Sequence, residues 1–205
     1  MSLLATMEDF AAARGVAFDP TDLGAMIALE GASSVIRTYT GQSFDLLETD
    51  AVTLDGTGTA SLLLPELPAL DVTEVTTTYL GTVTTLEVTD YDLGTAGILW
   101  RTEGNIWPLG HVNIAVTYDH GYAMPPERDE ANGPLLPADL QMVTMQLASR
   151  FYEKAQSGGQ VLNSETIGSY SRSFESGRGA IGASVMDLTW VEQRTLDAYR
   201  GVSVA

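Results

Sequence analysis

Cysteine is absent from all 205 residues. Disulfide scaffolds, thiolate metal sites and thiol nucleophiles are therefore excluded. Basic residues are scarce: ten, with Lys154 the single lysine, against 27 acids, for a net charge of −17. Such a surface repels phosphate, which disfavours sequence-neutral binding to nucleic acid and docking on anionic membranes. The one lysine falls in a helical pattern, so there is no phosphate-cradling loop with its lysine. Histidine is limited to His111 and His120, nine residues apart. A zinc site built on them would need carboxylates to complete it, so they read as solvated or structural side chains. No apolar run approaches the roughly 20 residues of a membrane helix. The opening "MSLLATMEDF" has neither the basic region nor the long apolar stretch of a secretory signal. The expectation is a soluble chain made in the cytoplasm.

What is present suffices for a core. Hydrophobic residues make up 44% and charged residues only 18%, outside the composition of disordered chains. The charge is uneven. Residues 1–50 hold eight acids and two bases, residues 51–122 nine acids and the single base Arg101, and residues 123–205 ten acids and seven bases.

Periodicity divides the chain into three. In residues 1–49, "TMEDFAAARG" predicts a helix capped by Thr6 with Asp9 and stopped by Gly15. A second helix follows, with Leu23, Met26, Ile27, Ile36 and Tyr39 at helical spacing and Gly41 as its stop. Gly24 and Gly31 within it weaken the helix slightly or admit a close neighbour. Residues 50–122 switch to a period of two, rich in Thr and Val, and predict five or six antiparallel strands. Hairpin turns are expected at Asp55-Gly56 and Leu80-Gly81. Residues 123–205 return to helix. "PADLQMVTMQLASRFYEKAQ" carries Leu140, Val143, Leu147 and Phe151 on one stripe. "LTWVEQRTLDAYRG" opens on a Thr189/Glu192 capping box and ends at Gly201. The fold class expected is α+β: a helical bundle with an antiparallel β module, a small sandwich or barrel, inserted between early and late helices.

Chemistry-bearing patterns are weak. Gly177–Gly182 matches GxGxxG but follows no apolar strand, so a loop is expected. Asp90 and Asp92 could offer oxygens to calcium, but the spaced acids of an EF-hand loop are missing. Glu87 with Asp90 or Asp92 is the kind of carboxylate pair that acid–base hydrolysis uses, with no specificity among so many acids. Trp100, Trp107, Tyr118 and Tyr122 suit the core of the β module better than a sugar-binding face. No catalytic, metal or cofactor-binding residues are assigned.

One polar stretch, "SETIGSYSRSFES" (164–176), lies between the best helix and the Gly-rich loop. Ile167, Tyr170 and Phe174 are spaced for a helical turn, whereas Gly168 and the serines argue for an extended segment that could add to a partner's sheet edge.

The serial order of "LATMEDFAAARG", "ASSVIRTYTGQSF", "LLLPELPALDVTEV", "DYDLGTAGILWRTEGNIWPLGHVNIAVTYDHGY", "PADLQMVTMQLASRFYE", "SETIGSYSRSF" and "LTWVEQRTLDAYR" resembles the head-to-tail connector (adaptor) proteins of long-tailed double-stranded DNA bacteriophages. The resemblance spans nearly the whole chain. It implies a structural virion protein at the neck, in a homo-oligomeric ring, a dodecamer, beneath the portal protein. The ring would join the portal to the next neck, stopper or tail protein, and genome DNA would pass through without specific binding. It also implies that residues about 160–185 form an extended docking segment. The family pattern "SE-x-I-G-x-Y-S" falls on Ser164, Glu165, Ile167, Gly168, Ser169 and Tyr170. Arg172, Phe174 and Arg178 join them as residues expected to meet the portal or a neighbouring subunit. Two alternatives stay open at this point: another neck component, such as a stopper or tail-completion protein, and a non-viral ligand-binding β module.

Overall fold

A computed structural model describes residues 2–15, 22–126, 133–156, 164–167, 170–173 and 188–201. The chain divides into two compact units. One comprises Leu3–Tyr39 and Pro137–Ala198, the other Met1–Ser2, Thr40–Leu136 and Tyr199–Ala205. Helices dominate the first and antiparallel sheets the second, which makes the fold α+β, as the periodicity implied.

The helical unit holds α1 (Met7–Arg14), α2 (Leu23–Thr40), α3 (Ala138–Gln156) and α4 (Trp190–Leu196). The Thr6 hydroxyl accepts the Asp9 N–H at 3.0 Å, Asp9 returns to the Thr6 N–H, and Gly15 ends α1 in the left-handed region at φ +65°. These contacts satisfy donors that a helix start otherwise leaves bare. On α2 the apolar residues of the buried face are Ala25, Ala28, Leu29, Ala32 and Ile36, with Ser33, Arg37 and Thr40 buried beside them in sequence. Leu23 and Ile27, expected on the buried stripe, are instead 65% and 57% exposed. The small residues decide the face. A Cβ on Gly24 would meet the Tyr152 ring at 3.4 Å, and one on Gly31 would meet Phe151 at 3.2 Å. The α3 aromatics therefore press against the Ala/Gly side of α2, and the larger Leu23 and Ile27 are turned away. Leu140, Val143 and Leu147 are buried on α3, as their spacing required. Arg14 lies 5.9 Å from the Phe10 ring centroid and 5.4 Å from that of Tyr152, and it donates to Glu153 at 3.2 Å.

Among the described residues the β unit contains seven strands rather than five or six. A four-stranded sheet runs β1 (Leu47–Gly56), β7 (Gly110–His120), β3 (Ala69–Tyr79), β4 (Thr82–Thr85), and a three-stranded sheet runs β2 (Ser61–Leu63), β6 (Ile98–Arg101), β5 (Tyr91–Leu93). Both sheets feed one core: Val72, Val75, Ile114, Val116 and Tyr118 from the first, Leu62, Leu99 and Tyr91 from the second, with Trp107 fully buried among them. Trp107 donates its indole N–H to the Leu99 carbonyl at 3.2 Å, which removes the cost of burying that donor. Of the four aromatics expected in that core, Trp100 is instead 45% exposed.

The hairpin expected at Asp55-Gly56 is not formed. β1 continues through these residues and pairs with β7, while β2 joins the other sheet. Gly56 is needed for contact and not for a turn, since a Cβ there would lie 1.7 Å from the Pro108 carbonyl oxygen. The Leu80-Gly81 turn does form, with φ +49° and +79° at its two positions, between the paired Tyr79 and Thr82. Two left-handed residues in succession give the twist that a tight hairpin requires.

Candidate functional site

The stretch singled out in the sequence folds back on itself. β8 (Ser164–Ile167) pairs antiparallel with β9 (Tyr170–Ser173), with Glu165 opposite Arg172 and Ile167 opposite Tyr170 in register. The helical turn considered for Ile167 and Tyr170 is thus excluded, and the extended segment is a hairpin. A two-residue link between strands favours hairpin pairing over a helical turn, whatever the 3–4 spacing of bulky residues. Gly168, Ser169, Phe174 and Arg178 lie outside the described residues, as does the Gly177–Gly182 loop. The described residues show no partner strand on either edge of this two-stranded sheet. Such an isolated hairpin is marginal in water and gains most from an added strand or packing surface.

A rigid platform lies after the hairpin. α4 starts on the Thr189 cap, and the Glu192 carboxylate accepts the Thr189 N–H at 2.7 Å while the Thr189 hydroxyl accepts the Glu192 N–H at 3.3 Å. The same carboxylate takes a fork of two bonds from Arg150 on α3, at 2.7 and 2.9 Å, and its side chain is 3% exposed. Burial alone would push the Glu192 carboxyl upward, but the Arg150 fork and the Thr189 donors outweigh it and hold the group below the usual carboxylate range. This clamp fixes α4 on α3 and leaves Trp190 and Val191 69% and 65% exposed, with Arg194 over the Trp190 ring at 5.4 Å. Sequence reading saw the cap and missed the exposed pair. The available signal was phase: counting back from buried Leu196, the inward position is Glu192, which leaves 190 and 191 off the stripe.

On the β unit, both ends of β7 are shaped by carboxylates that catch left-handed backbone. Asp55 accepts the Val112 N–H at 2.6 Å and sits 2.8 Å from the His111 imidazole. Those two partners, the Val112 amide first, lower the Asp55 carboxyl below its ordinary value. Asp119 accepts the Thr49 N–H at 2.7 Å. Val112 and Thr49 have φ of +52° and +54°, which branched residues rarely adopt, so each bulge depends on its carboxylate. His120 is buried, 3.1 Å from Asp50, with its ring 5.0 Å from that of Tyr118. Burial drives the Tyr118 hydroxyl up to about 12, against the Glu66 N–H that it accepts. Each histidine thus has a structural carboxylate partner. Among the described residues no group of three or more His, Asp or Glu could hold a metal ion. Asp90 receives the Glu87 N–H at 3.1 Å, which makes that carboxylate part of a turn.

The tip of the same sheet carries exposed apolar side chains. Thr77 is opposite Ile114, so Tyr79 and Leu80 extend past it to the end of β7 that holds Val112. Leu80 is 87% exposed, Leu109 79%, and Tyr79, Ile106 and Val112 more than half.

Comparison with known proteins gives three results. A sequence model of the family described as head completion protein matches residues 3–186. No curated protein matches the chain. Among solved structures, a chain from the virion of a native gene transfer agent particle is 16% identical, with 100% of this chain and 95% of that one covered and a TM-score of 0.52. A chain from the neck of an empty gene transfer agent particle, computed with C6 symmetry, is 18% identical over 98% of this chain and 92% of that one, with a TM-score of 0.49. At these identities the virion chain shows a shared fold.

Proposed function

Because the chain belongs to the head completion protein family, structural proteins of the phage neck, we propose that it forms a ring, a dodecamer, beneath the portal, joins the capsid to the next neck or tail component, and lets genome DNA pass. The family match over residues 3–186 carries this reading, because it takes in most of both compact units. The charge supports it. Residues 51–122 hold nine acids and one base, and a ring multiplies that field around its axis. Phosphate is repelled from such a surface, and with a screening length of about 8 Å at physiological salt the repulsion acts at the short range where passing DNA would otherwise stick.

The docking element in this reading is the β8–β9 hairpin with its flanks: Ser164, Glu165, Ile167, Gly168, Ser169, Tyr170, Arg172, Phe174 and Arg178. Its support is the marginal stability of a lone hairpin, which a partner sheet or pocket would relieve. Arginines placed there suit acidic surfaces on the portal or a neighbouring subunit.

The test is to mix the chain with its portal protein and image the product. A ring stacked coaxially on the portal is expected, and replacing Ile167 and Tyr170 by Ser should abolish it while the subunit keeps its melting temperature. Binding to an isolated tail component and not to the portal would move the chain to a stopper or tail-completion position. No association with either across a range of salt would refute the neck reading.

A further inference from the structure

The β unit draws a cation inward that no carboxylate among its described residues neutralises. Arg101 closes β6 opposite Tyr91 in register, so its side chain leaves from the face that carries buried Leu99 and Tyr91. On that face its guanidinium lies 5.5 Å from the centre of the fully buried Trp107 ring. Its Nε and Nη1 atoms are sealed from the surface and meet no acceptor among the described residues. The acids next to it on the sheet are committed elsewhere. Asp90, whose carbonyl takes the Thr102 N–H at 3.1 Å, turns its carboxylate to the Glu87 N–H. Asp92 is opposite Trp100 and therefore on the other face. An indole face offsets part of the cost of desolvating a guanidinium, and an oxyanion offsets far more. Arg101 as a whole is only part-buried, so an anion can reach it from outside.

We infer that Arg101 receives a carboxylate side chain from the next copy of this chain, which approaches the rim of the three-stranded sheet and pairs with the guanidinium against Trp107. The inference rests on the ring proposed above and names a cation that holds its subunits together. Charge selects a second copy as the occupant. Each copy carries 27 acids against ten bases, so a neighbour has carboxylates in excess and few cations to answer them. Copies at −17 repel one another, and Arg101 is the single base that residues 51–122 can set against that repulsion. A free polyanion is a poorer match, because the nine acids of the same segment repel it, whereas a carboxylate on a docked subunit is held in place by the rest of the contact. The guanidinium has also lost much of its hydration inside the subunit, so less desolvation remains to oppose the pair when it forms. Arginine beside an aromatic ring is the kind of side chain that dominates interface energies.

The test is Arg101→Met in the full chain, which keeps an unbranched stem on Trp107 and removes the charge. Because the cation has no anion within the subunit, the variant should keep at least the wild-type melting temperature. Its association into rings, followed by sedimentation, should weaken about thirtyfold, the scale of an interface hot spot. Electron microscopy of the wild-type ring should place a carboxylate of the adjacent copy within about 4 Å of the Arg101 guanidinium. Inorganic phosphate, raised at constant ionic strength, should act equally on the melting temperatures of the wild type and Arg101→Met. A phosphate-dependent rise in the wild type alone would assign the site to a free anion and overturn the neighbour's carboxylate. A lower melting temperature in Arg101→Met would mean that the cation serves its own subunit, and would overturn the inference too. Rings formed equally well by the wild type and Arg101→Met, or a wild-type ring with no carboxylate of the adjacent copy at Arg101, would overturn this contact and leave the ring intact. Absence of any ring from the wild type would overturn the ring and this contact together.

Discussion

Glu192→Gln is the sharpest test of how the helical unit is held. The substitution keeps the volume and one acceptor oxygen but removes the charge that Arg150 grips at 2.7 and 2.9 Å, and it puts an amide N–H₂ where Thr189 or Arg150 also donates. Breaking a fully buried pair costs about 3–5 kcal/mol. Arg150 is 32% exposed and can recover some hydration, so the expected loss is about 2–3 kcal/mol. For a chain of this size, that corresponds to a melting temperature lower by about 4–12 °C. The pH dependence carries a sign. The folded Glu192 carboxyl is held below its unfolded value, so its stabilisation is complete above the unfolded value of about 4.3 and disappears as pH falls through the lower folded value. Melts of both proteins by circular dichroism should therefore differ most at neutral pH and converge in acid. Equal melting temperatures at pH 7, or a gap that does not narrow on acidification, would refute the clamp.

Gly56→Ala should cost about 3 kcal/mol in urea denaturation, because its Cβ would meet the Pro108 carbonyl oxygen at 1.7 Å; a stabilisation of the size that Gly→Ala gives at open sites would count against the packing described. Leu147→Ala should cost about 3 kcal/mol whereas Ile27→Ala should change stability by less than about 0.5, since Leu147 is fully buried and Ile27 is 57% exposed; equal losses would restore Ile27 to the buried stripe. Asp55→Ala should speed hydrogen exchange of the Val112 amide, and in the wild type that protection should persist above the ordinary carboxylate range and fade as pH falls through the lowered Asp55 value. An unchanged exchange rate would mean that the bulge does not depend on the carboxylate.

Much of the fold was legible because its signals are local. The Thr6/Asp9 and Thr189/Glu192 boxes, the Gly15 stop and the Leu80-Gly81 turn each depend on residues a few positions apart, and all appear as read. The family resemblance was legible too, in the serial order of short phrases, and the family match bears it out. The misses are non-local. Asp55-Gly56 has the composition of a hairpin turn, but its role is set by Pro108 and Val112, more than 50 residues away, which the periodicity of one strand cannot report. Leu23 and Ile27 are apolar at the right spacing, yet the face of α2 was chosen by Tyr152 and Phe151 pressing on glycines. Within 164–173 the turn residues were visible, but the competition between helical spacing and strand pairing was settled by backbone pairing that spacing does not encode. Trp190 was read as part of a helix, and its exposure follows from Glu192 facing inward to Arg150.

If this chain joins a DNA-filled head to its tail, as proposed, electron microscopy of particles produced with its coding sequence deleted should show heads and free tails that accumulate unjoined, with joining restored by the wild-type chain and not by Ile167→Ser combined with Tyr170→Ser. Complete, tailed particles in the absence of the chain would contradict it.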